Sequence, residues 1–160
     1  MIHNAIMLNK IIKKFFFILK IIFIYSFVIS IAVAKESNNL KKGIELFKKK
    51  EFEKSKILFE KDIVFDPKSE KSYLYLAKIF YENDNDLEQE INLKNVLLIN
   101  PQNDEAIYML TLLKIKQSDY TKAKELIEKF VLVCKNFCSK KNEINEKFIK
   151  LSPENAKAKD

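Results

Sequence analysis

The sequence predicts an all-α protein, and three features of its composition support that class. One glycine and three prolines occur in 160 residues, so long stretches of good helix formers run without a break. The same scarcity of glycine excludes a Gly-rich phosphate-binding loop and argues against an all-β fold with many tight turns. Hydrophobic residues make up 48% of the chain, which is enough apolar surface to build a core.

The segment from Met1 to Ala34 is typical of a secretory signal. It contains no Asp or Glu, and four lysines at positions 10, 13, 14 and 20 precede an apolar run, 21–34, that ends Ala-Val-Ala. A basic start, an apolar middle and small residues at the end predict a signal peptide, 1–34, cleaved after Ala34. We therefore expect export, to the bacterial periplasm. The alternative keeps residues 11–34 as an inner-membrane anchor with the domain outside the cytoplasm. Such an anchor must join Phe15–Leu19 to the apolar run across Lys20, because the run alone is shorter than the about 20 residues of a span.

Removal of the signal narrows the chemistry that is open to the chain. It leaves residues 35–160 and takes away four of the 29 lysines, so the net charge falls from +7 to +3. His3 is the only histidine and leaves with the signal, which excludes His-dependent catalysis and His-ligated metals. The weak charge and the absence of Arg argue against nucleic-acid binding. The sequence therefore predicts a protein that is not an enzyme and has no cofactor and no metal.

An acidic stretch, residues 82–90, alternates carboxylates in a way that superficially fits a calcium loop. Counted from Asp84, the sixth and twelfth places hold Gln89 and Asn95, where a calcium loop needs Gly and Glu. We therefore expect an acidic turn whose Asp residues cap the following helix.

A regular spacing organises the chain after the signal. Pro67 and Pro101 lie 34 apart, and each follows an apolar run that ends in Asp or Asn, which predicts the end of a helix. Lys135 lies one further step of the same length along the chain and also follows an apolar run. Three residue pairs keep this spacing between apolar segments and predict turns between helices: Glu51-Phe52, Asn85-Asp86 and Asp119-Tyr120.

Two helices for every 34 residues, with proline after the second helix, resemble the tetratricopeptide repeat family. The second unit reads Tyr73-x2-Leu76-Ala77-x2-Phe80, and the third contains Ser118-Asp119-Tyr120-Thr121-Lys122-Ala123 before Ile127. The resemblance implies an α-solenoid of three helix hairpins over 36–69, 70–103 and 104–137, within a helical domain of residues 35–151. It also implies that small residues let paired helices approach closely, at Gly43, Ala77, Thr111, Ser55 and Ala123.

The residues after the third unit predict a closing helix over 138–151. Ile144, Phe148 and Ile149 supply its apolar face, while Lys140, Lys141, Glu146 and Lys147 are expected to face outward, as the end of a solenoid requires. Residues 152–160 are expected to be a frayed tail.

The two cysteines of the chain, Cys134 and Cys138, fall at the turn before this closing helix. In an exported protein they predict one structural disulfide. A thiol- or metal-handling role is the weaker alternative, because thiol oxidoreductases use two intervening residues and a C-x3-C metal carrier would need a further ligand.

The resemblance implies that the first helices of the units line a concave groove. We expect this groove to bind a protein or peptide partner, so that the protein is a non-catalytic scaffold or adaptor in the cell envelope. A membrane-anchored assembly factor is the alternative, and self-association stays open. The residues expected to line the groove are Leu40, Ile44, Phe47, Leu74, Lys78, Tyr81, Tyr108, Leu112 and Ile115.

Overall fold

The structure is a computed structural model that describes residues 12–21 and 37–152. Every regular element in these two ranges is helical, which confirms the prediction of an all-α protein. The contacts divide the chain into two units, residues 1–36 and residues 37–160.

The first unit is described only as a helix over residues 12–21. Its apolar side chains are exposed, among them Phe15, Phe16 and Phe17. No helix in the described ranges is long and apolar enough to cross a membrane. The predicted cleavage point after Ala34 and residues 153–160 of the predicted tail, 152–160, lie outside the described residues. Ser152, the first residue of that tail, is described and is buried.

The second unit contains seven α-helices and one short 3-10 helix within its described range. The predicted turns are confirmed, because helices begin directly after Glu51, Asn85 and Asp119. The first two of these helices end just before the Asp-Pro and Asn-Pro steps, as predicted. The elements are α1 (Asn38–Lys48), α2 (Phe52–Phe65), α3 (Glu70–Glu82), α4 (Asp86–Ile99), α5 (Asp104–Lys116), α6 (Tyr120–Val133), the 3-10 helix (Cys138–Lys140) and α7 (Lys141–Leu151).

The N-terminus of α4, which follows the acidic turn, is capped by a residue other than those expected. The side chain of Asn85 accepts a hydrogen bond from the backbone N–H of Glu88 at 3.2 Å. Asp84 lies in the turn with φ of 50°, and Asp86 is already the first residue of the helix. The expectation that an Asp caps α4 was therefore wrong, because only the residue before the first helical one can reach these N–H groups.

Three turns share one backbone conformation. Lys50, Asp84 and Ser118 have positive φ values of 60°, 50° and 60°, and they keep the spacing that separates Pro67 from Pro101. In each turn the next residue donates its N–H to the carbonyl five residues before it, as in the Schellman motif. The repeat spacing thus recurs in backbone conformation as well as in side chains.

Helices that are neighbours in the chain pack against each other. The pairs α1 with α2, α3 with α4 and α5 with α6 share the most extensive contacts, while α7 contacts α5 and α6. Two apolar clusters result. The smaller is centred on Leu40, Phe59, Leu76 and Ile79, and the larger extends from Leu74 on α3 to Ile144 on α7.

Gly43 lets α2 come close to α1. A Cβ atom at position 43 would lie 2.6 Å from Cε1 of Phe59, whose side chain is fully buried. The hydroxyl of Ser55 donates to the carbonyl oxygen of Gly43 at 2.8 Å. The expected small residues at Ala77, Thr111 and Ala123 are fully buried as well, in keeping with the packing role predicted for them.

A buried carboxylate joins α1, α2 and α3. Asp62 accepts hydrogen bonds from the hydroxyls of Ser37, Ser69 at 2.6 Å and Ser72 at 2.5 Å. Burial alone would raise the pKa of Asp62, but these three hydrogen bonds outweigh it and lower the pKa. The carboxylate therefore stays ionised and holds the start of α3 to the end of α2.

The helix expected over 138–151 is present as the 3-10 helix and α7, but its apolar face is narrower than expected. Ile144 is 1% exposed and Phe148 is partly buried, both against the larger cluster. Ile149 is 55% exposed, so the expectation that it packs inward was wrong. Successive side chains of an α-helix point about 100° apart. Since Phe148 packs against the cluster, the side chain of Ile149 points away from it.

Candidate functional site

A cavity of about 520 Å³ lies where α3, α4, α5 and α7 meet. Four of the nine residues expected to line a groove are brought together there: Tyr81, Tyr108, Leu112 and Ile115. Tyr81 is 57% exposed at the mouth, whereas Ile115 is buried at the inner wall. The remaining lining residues are Gln89, Met109, Leu113, Lys116, Lys147 and Leu151.

The other five expected groove residues lie elsewhere. Leu40 and Leu74 are buried in the two apolar clusters, and Ile44 and Phe47 pack against the smaller one. Lys78 forms an ion pair with Glu105 at 2.7 Å. These five positions lie outside the cavity, since the first helices carry apolar residues on more than one face and spacing alone does not tell which face meets the neighbouring helix.

Two cavity residues, Lys147 and Leu151, come from α7 and were not predicted. From its sequence, this helix was expected only to close the solenoid, with Lys147 on its outward face. Their spacing of four residues was the available signal, because residues i and i+4 share one face of a helix. With Leu151 in its wall, the cavity has one side built by the closing helix.

A hydrogen-bonded group fixes Tyr108 in the cavity wall. Its hydroxyl donates to Oε1 of Glu143 at 2.9 Å, and the ammonium groups of Lys140 and Lys147 lie 2.8 and 3.1 Å from the same carboxylate. Hydrogen bonds from these lysines lower the pKa of Glu143 to about 2. Burial, together with Glu143, raises the pKa of Tyr108 to about 12. At neutral pH the phenol is therefore a neutral donor to an ionised acceptor.

Two lysines near the end of α5, of which Lys116 belongs to the cavity wall, have acidic partners. Lys116 lies 2.8 Å from Asp86 and 3.4 Å from Asp84. Lys114 lies 2.8 Å from Glu90. Burial would raise the pKa of Glu90, but hydrogen bonds led by that from Lys114 lower it to about 2. Because these lysines form ion pairs, an apolar group in the cavity would not lie beside an unpaired lysine charge from this part of α5.

Beside the cavity, Cys134 and Cys138 form the predicted disulfide, with their Cα atoms 5.2 Å apart. The loop that the disulfide closes is held by Asp104, the first residue of α5. One oxygen of Asp104, Oδ2, accepts the backbone N–H groups of Lys135, Asn136 and Phe137 at 2.7, 2.6 and 2.9 Å. Burial alone would raise the pKa of Asp104, but these N–H groups lower it.

The role of Asp104 was missed, although the repeat spacing contains a signal for it. Glu70 occupies the equivalent position one repeat earlier, and its Oε1 accepts from the side chains of Asn100 and Asn103 at 2.9 and 2.5 Å. In both cases a carboxylate at the start of one helix holds a turn that lies about one repeat later in the chain.

The described residues offer no cluster of three or more His, Cys, Asp or Glu side chains that could hold a metal ion. A second cavity, of about 560 Å³, lies between the start of α6 and α7 and has a more polar wall, with Asp119, Glu125 and Glu128 among its lining residues. The wall of the cavity around Tyr81 and Tyr108 is the more apolar of the two.

Neither the comparison with protein-family models nor the comparison with curated proteins found a match to this chain. The interpretation of the cavity therefore depends on its own geometry.

Proposed function

We propose that this protein is a non-catalytic scaffold of three tetratricopeptide-like units that holds a segment of a partner protein in the cell envelope. The observation that carries the proposal is the cavity of about 520 Å³, in which two tyrosines and several aliphatic side chains from different helices converge. Its size falls in the range of about 300–1,000 Å³ that is usual for binding sites.

The features that recur at the repeat spacing support the repeat part of this proposal. They include the left-handed residues Lys50, Asp84 and Ser118 and the turn-holding carboxylates Glu70 and Asp104. Because each unit of such a protein contacts mainly its neighbours, equivalent positions keep equivalent surroundings. That property accounts for the sequential pattern of helix contacts.

The lining residues indicate which side chains the bound segment of the partner should carry. Leu112, Ile115 and Leu151 offer apolar surface, and Tyr81 adds a rigid aromatic ring with a hydroxyl group. Aromatic rings of this kind contribute strongly to interfaces because they bury much area with few rotatable bonds. We expect the bound segment to insert at least one large aliphatic or aromatic side chain.

A photo-crosslinking experiment tests this site. A photoreactive amino acid in place of Leu112 should give a discrete partner adduct in the native cell. The matched control places the same group at Leu87, which is 70% exposed on α4 but outside the cavity, and it should give no such adduct. Loss of the ring in Tyr81→Ala should lower the adduct yield about tenfold. Equal adducts from both positions, or an unchanged yield in Tyr81→Ala, would refute the proposal.

A membrane-anchored assembly factor is the second candidate, and the helix over residues 12–21 favours it. This helix exposes Phe15, Phe16 and Phe17, and exposed apolar residues of this kind suit a lipid environment. The intact mass of the exported protein separates the two candidates. Loss of residues 1–34 would exclude the anchor, whereas a full-length chain in the membrane fraction would establish it.

A further inference from the structure

The turn between α6 and α7 is built differently from the two earlier turns that follow a second helix. After α2 and after α4, the side chains of Asp66 and Asn100 accept the backbone N–H two residues on, at 3.1 Å in both turns, with a proline between. These are Asx turns, and proline stiffens them by fixing φ. No part of either turn depends on a redox-active group.

The third turn has neither the Asx residue nor the proline of the first two. Cys134 stands one repeat after Asn100, and Lys135 stands one repeat after Pro101. Neither residue can form an Asx-Pro turn. The disulfide to Cys138 and the carboxylate of Asp104 constrain the chain here instead. Of the three turns, this one therefore contains a covalent bond that a change of redox state can remove.

The helix that follows is short, and most of its residues are exposed. α7 has 11 residues and no side-chain N-cap, and Ile144 is its one residue that is fully buried. A helix of this length is marginal in water without packing against a neighbour. Its position also depends on the disulfide loop, because the ring of Phe137 lies 5.8 Å from that of Tyr108, which in turn donates to Glu143 on α7.

We propose that the Cys134–Cys138 disulfide is a redox latch that keeps α7 docked and so completes one wall of the cavity. Cys138 is exposed, so the thiolate of a small dithiol can attack its sulfur. The sulfur–sulfur bond then breaks, and Cys134 leaves as a thiolate that takes up a proton. The second thiol of the reductant displaces Cys138 from the mixed disulfide. The protein gains two thiols while the reductant becomes a disulfide.

Reduction removes the covalent constraint and leaves the loop held only by non-covalent contacts, those to Asp104 and the packing of Phe137 on Tyr108. The chain between Cys134 and Cys138 is then free to lengthen, and α7 exchanges between docked and undocked positions. Undocking withdraws Lys147 and Leu151 from the cavity wall. The latch itself does not depend on the proposed function, since it concerns only α7, but its effect on partner binding does.

Hydrogen exchange of the full chain tests the latch without a partner. We compare the oxidised protein, the same protein in dithiothreitol and the variant Cys134→Ser/Cys138→Ser. The amides of residues 145–151 should exchange about tenfold faster or more in the last two states, with α1 to α4 unchanged. Dithiothreitol added to the Ser variant is the matched control and should change nothing.

Two results would overturn the proposal. One is equal exchange of α7 in the oxidised and reduced chains. The other is faster exchange throughout α1 to α6, because the bond would then stabilise the whole domain and not the closing helix alone. A latch confirmed by exchange together with negative crosslinking at Leu112 would reject the proposed partner site and leave the latch intact.

Discussion

Replacing Gly43 by Ala is the sharpest test of how α1 and α2 pack. The new Cβ would lie 2.6 Å from Cε1 of Phe59 and 3.0 Å from two further ring atoms. The ring cannot easily move, because it is fully buried and stacked on Tyr75 at 5.1 Å with 17° between the planes. The substitution therefore forces a shift of the helix pair or of both rings.

Two effects of opposite sign set the magnitude. Overpacking of a core costs about 1–3 kcal/mol, and a contact of 2.6 Å with a fully buried ring places this site in the upper part of that range, at about 2–3 kcal/mol. Alanine in place of glycine inside a helix gains about 1 kcal/mol. A net loss of about 1–2 kcal/mol corresponds to a fall in Tm of roughly 4–10 °C for a domain of this size.

Thermal and urea unfolding followed by far-UV circular dichroism would measure this loss. The matched control is Lys42→Ala, an exposed position next to Gly43 on the same helix, which should change the stability by no more than about 0.5 kcal/mol. In a Phe59→Leu background the cost of Gly43→Ala should shrink, because the ring that causes the clash is gone. A Gly43→Ala variant as stable as the parent would refute the argument that the missing side chain sets the helix approach.

Two further predictions concern Asp104 and Glu143. Asp104→Ala removes the acceptor of three N–H groups and should lower the free energy of unfolding by about 2–3 kcal/mol; an unchanged urea midpoint would contradict this. The pKa of Glu143 is lowered from 4.5 to about 2 in the folded protein, so its contribution to stability is complete above about pH 4.5 and is lost as the pH falls toward 2. Tm should therefore fall over that interval, and less steeply in Glu143→Gln; parallel curves for the two proteins would show that the group does not contribute.

The helix boundaries could be predicted because their signals are local. Pro67 and Pro101 mark helix ends, and the pairs at 51–52, 85–86 and 119–120 mark helix starts. Each of these signals involves residues within one turn of the boundary. The cap at Asn85 was assigned to the wrong residue because neighbouring Asp and Asn side chains are all good caps, and only the backbone conformation decides between them.

The site could be predicted only in part because it depends on contacts between distant residues. Four residues of the expected groove line the cavity: Tyr81, Tyr108, Leu112 and Ile115. Leu74 does not, because its side chain is buried in the larger cluster. Which face of a helix is covered depends on the angle at which its neighbour packs, and the sequence of one chain does not contain that angle explicitly.

The role of Asp104 illustrates a second reason. Its carboxylate contacts backbone N–H groups, which are the same in every residue type except proline. No side-chain pattern around Lys135 could therefore reveal an acceptor 31 residues away. Besides the carboxylate that recurs at positions 70 and 104, the absence of a proline at position 135 was a hint, since a proline there would have removed one of the three donors.

The left-handed turn residues have a consequence for how much substitution the protein can tolerate. Lys50, Asp84 and Ser118 occupy a conformation that favours glycine, and a side chain there costs on the order of 1 kcal/mol. The only glycine of the chain, Gly43, is used in helix packing instead. The gain at Lys50 should add to the others, whereas the gains at Asp84 and Ser118 are coupled, because Lys116, two residues before Ser118, contacts Asp84 at 3.4 Å. A chain with glycine at all three positions would provide a stabilised background, in which costly substitutions around the cavity could be compared without loss of the folded state.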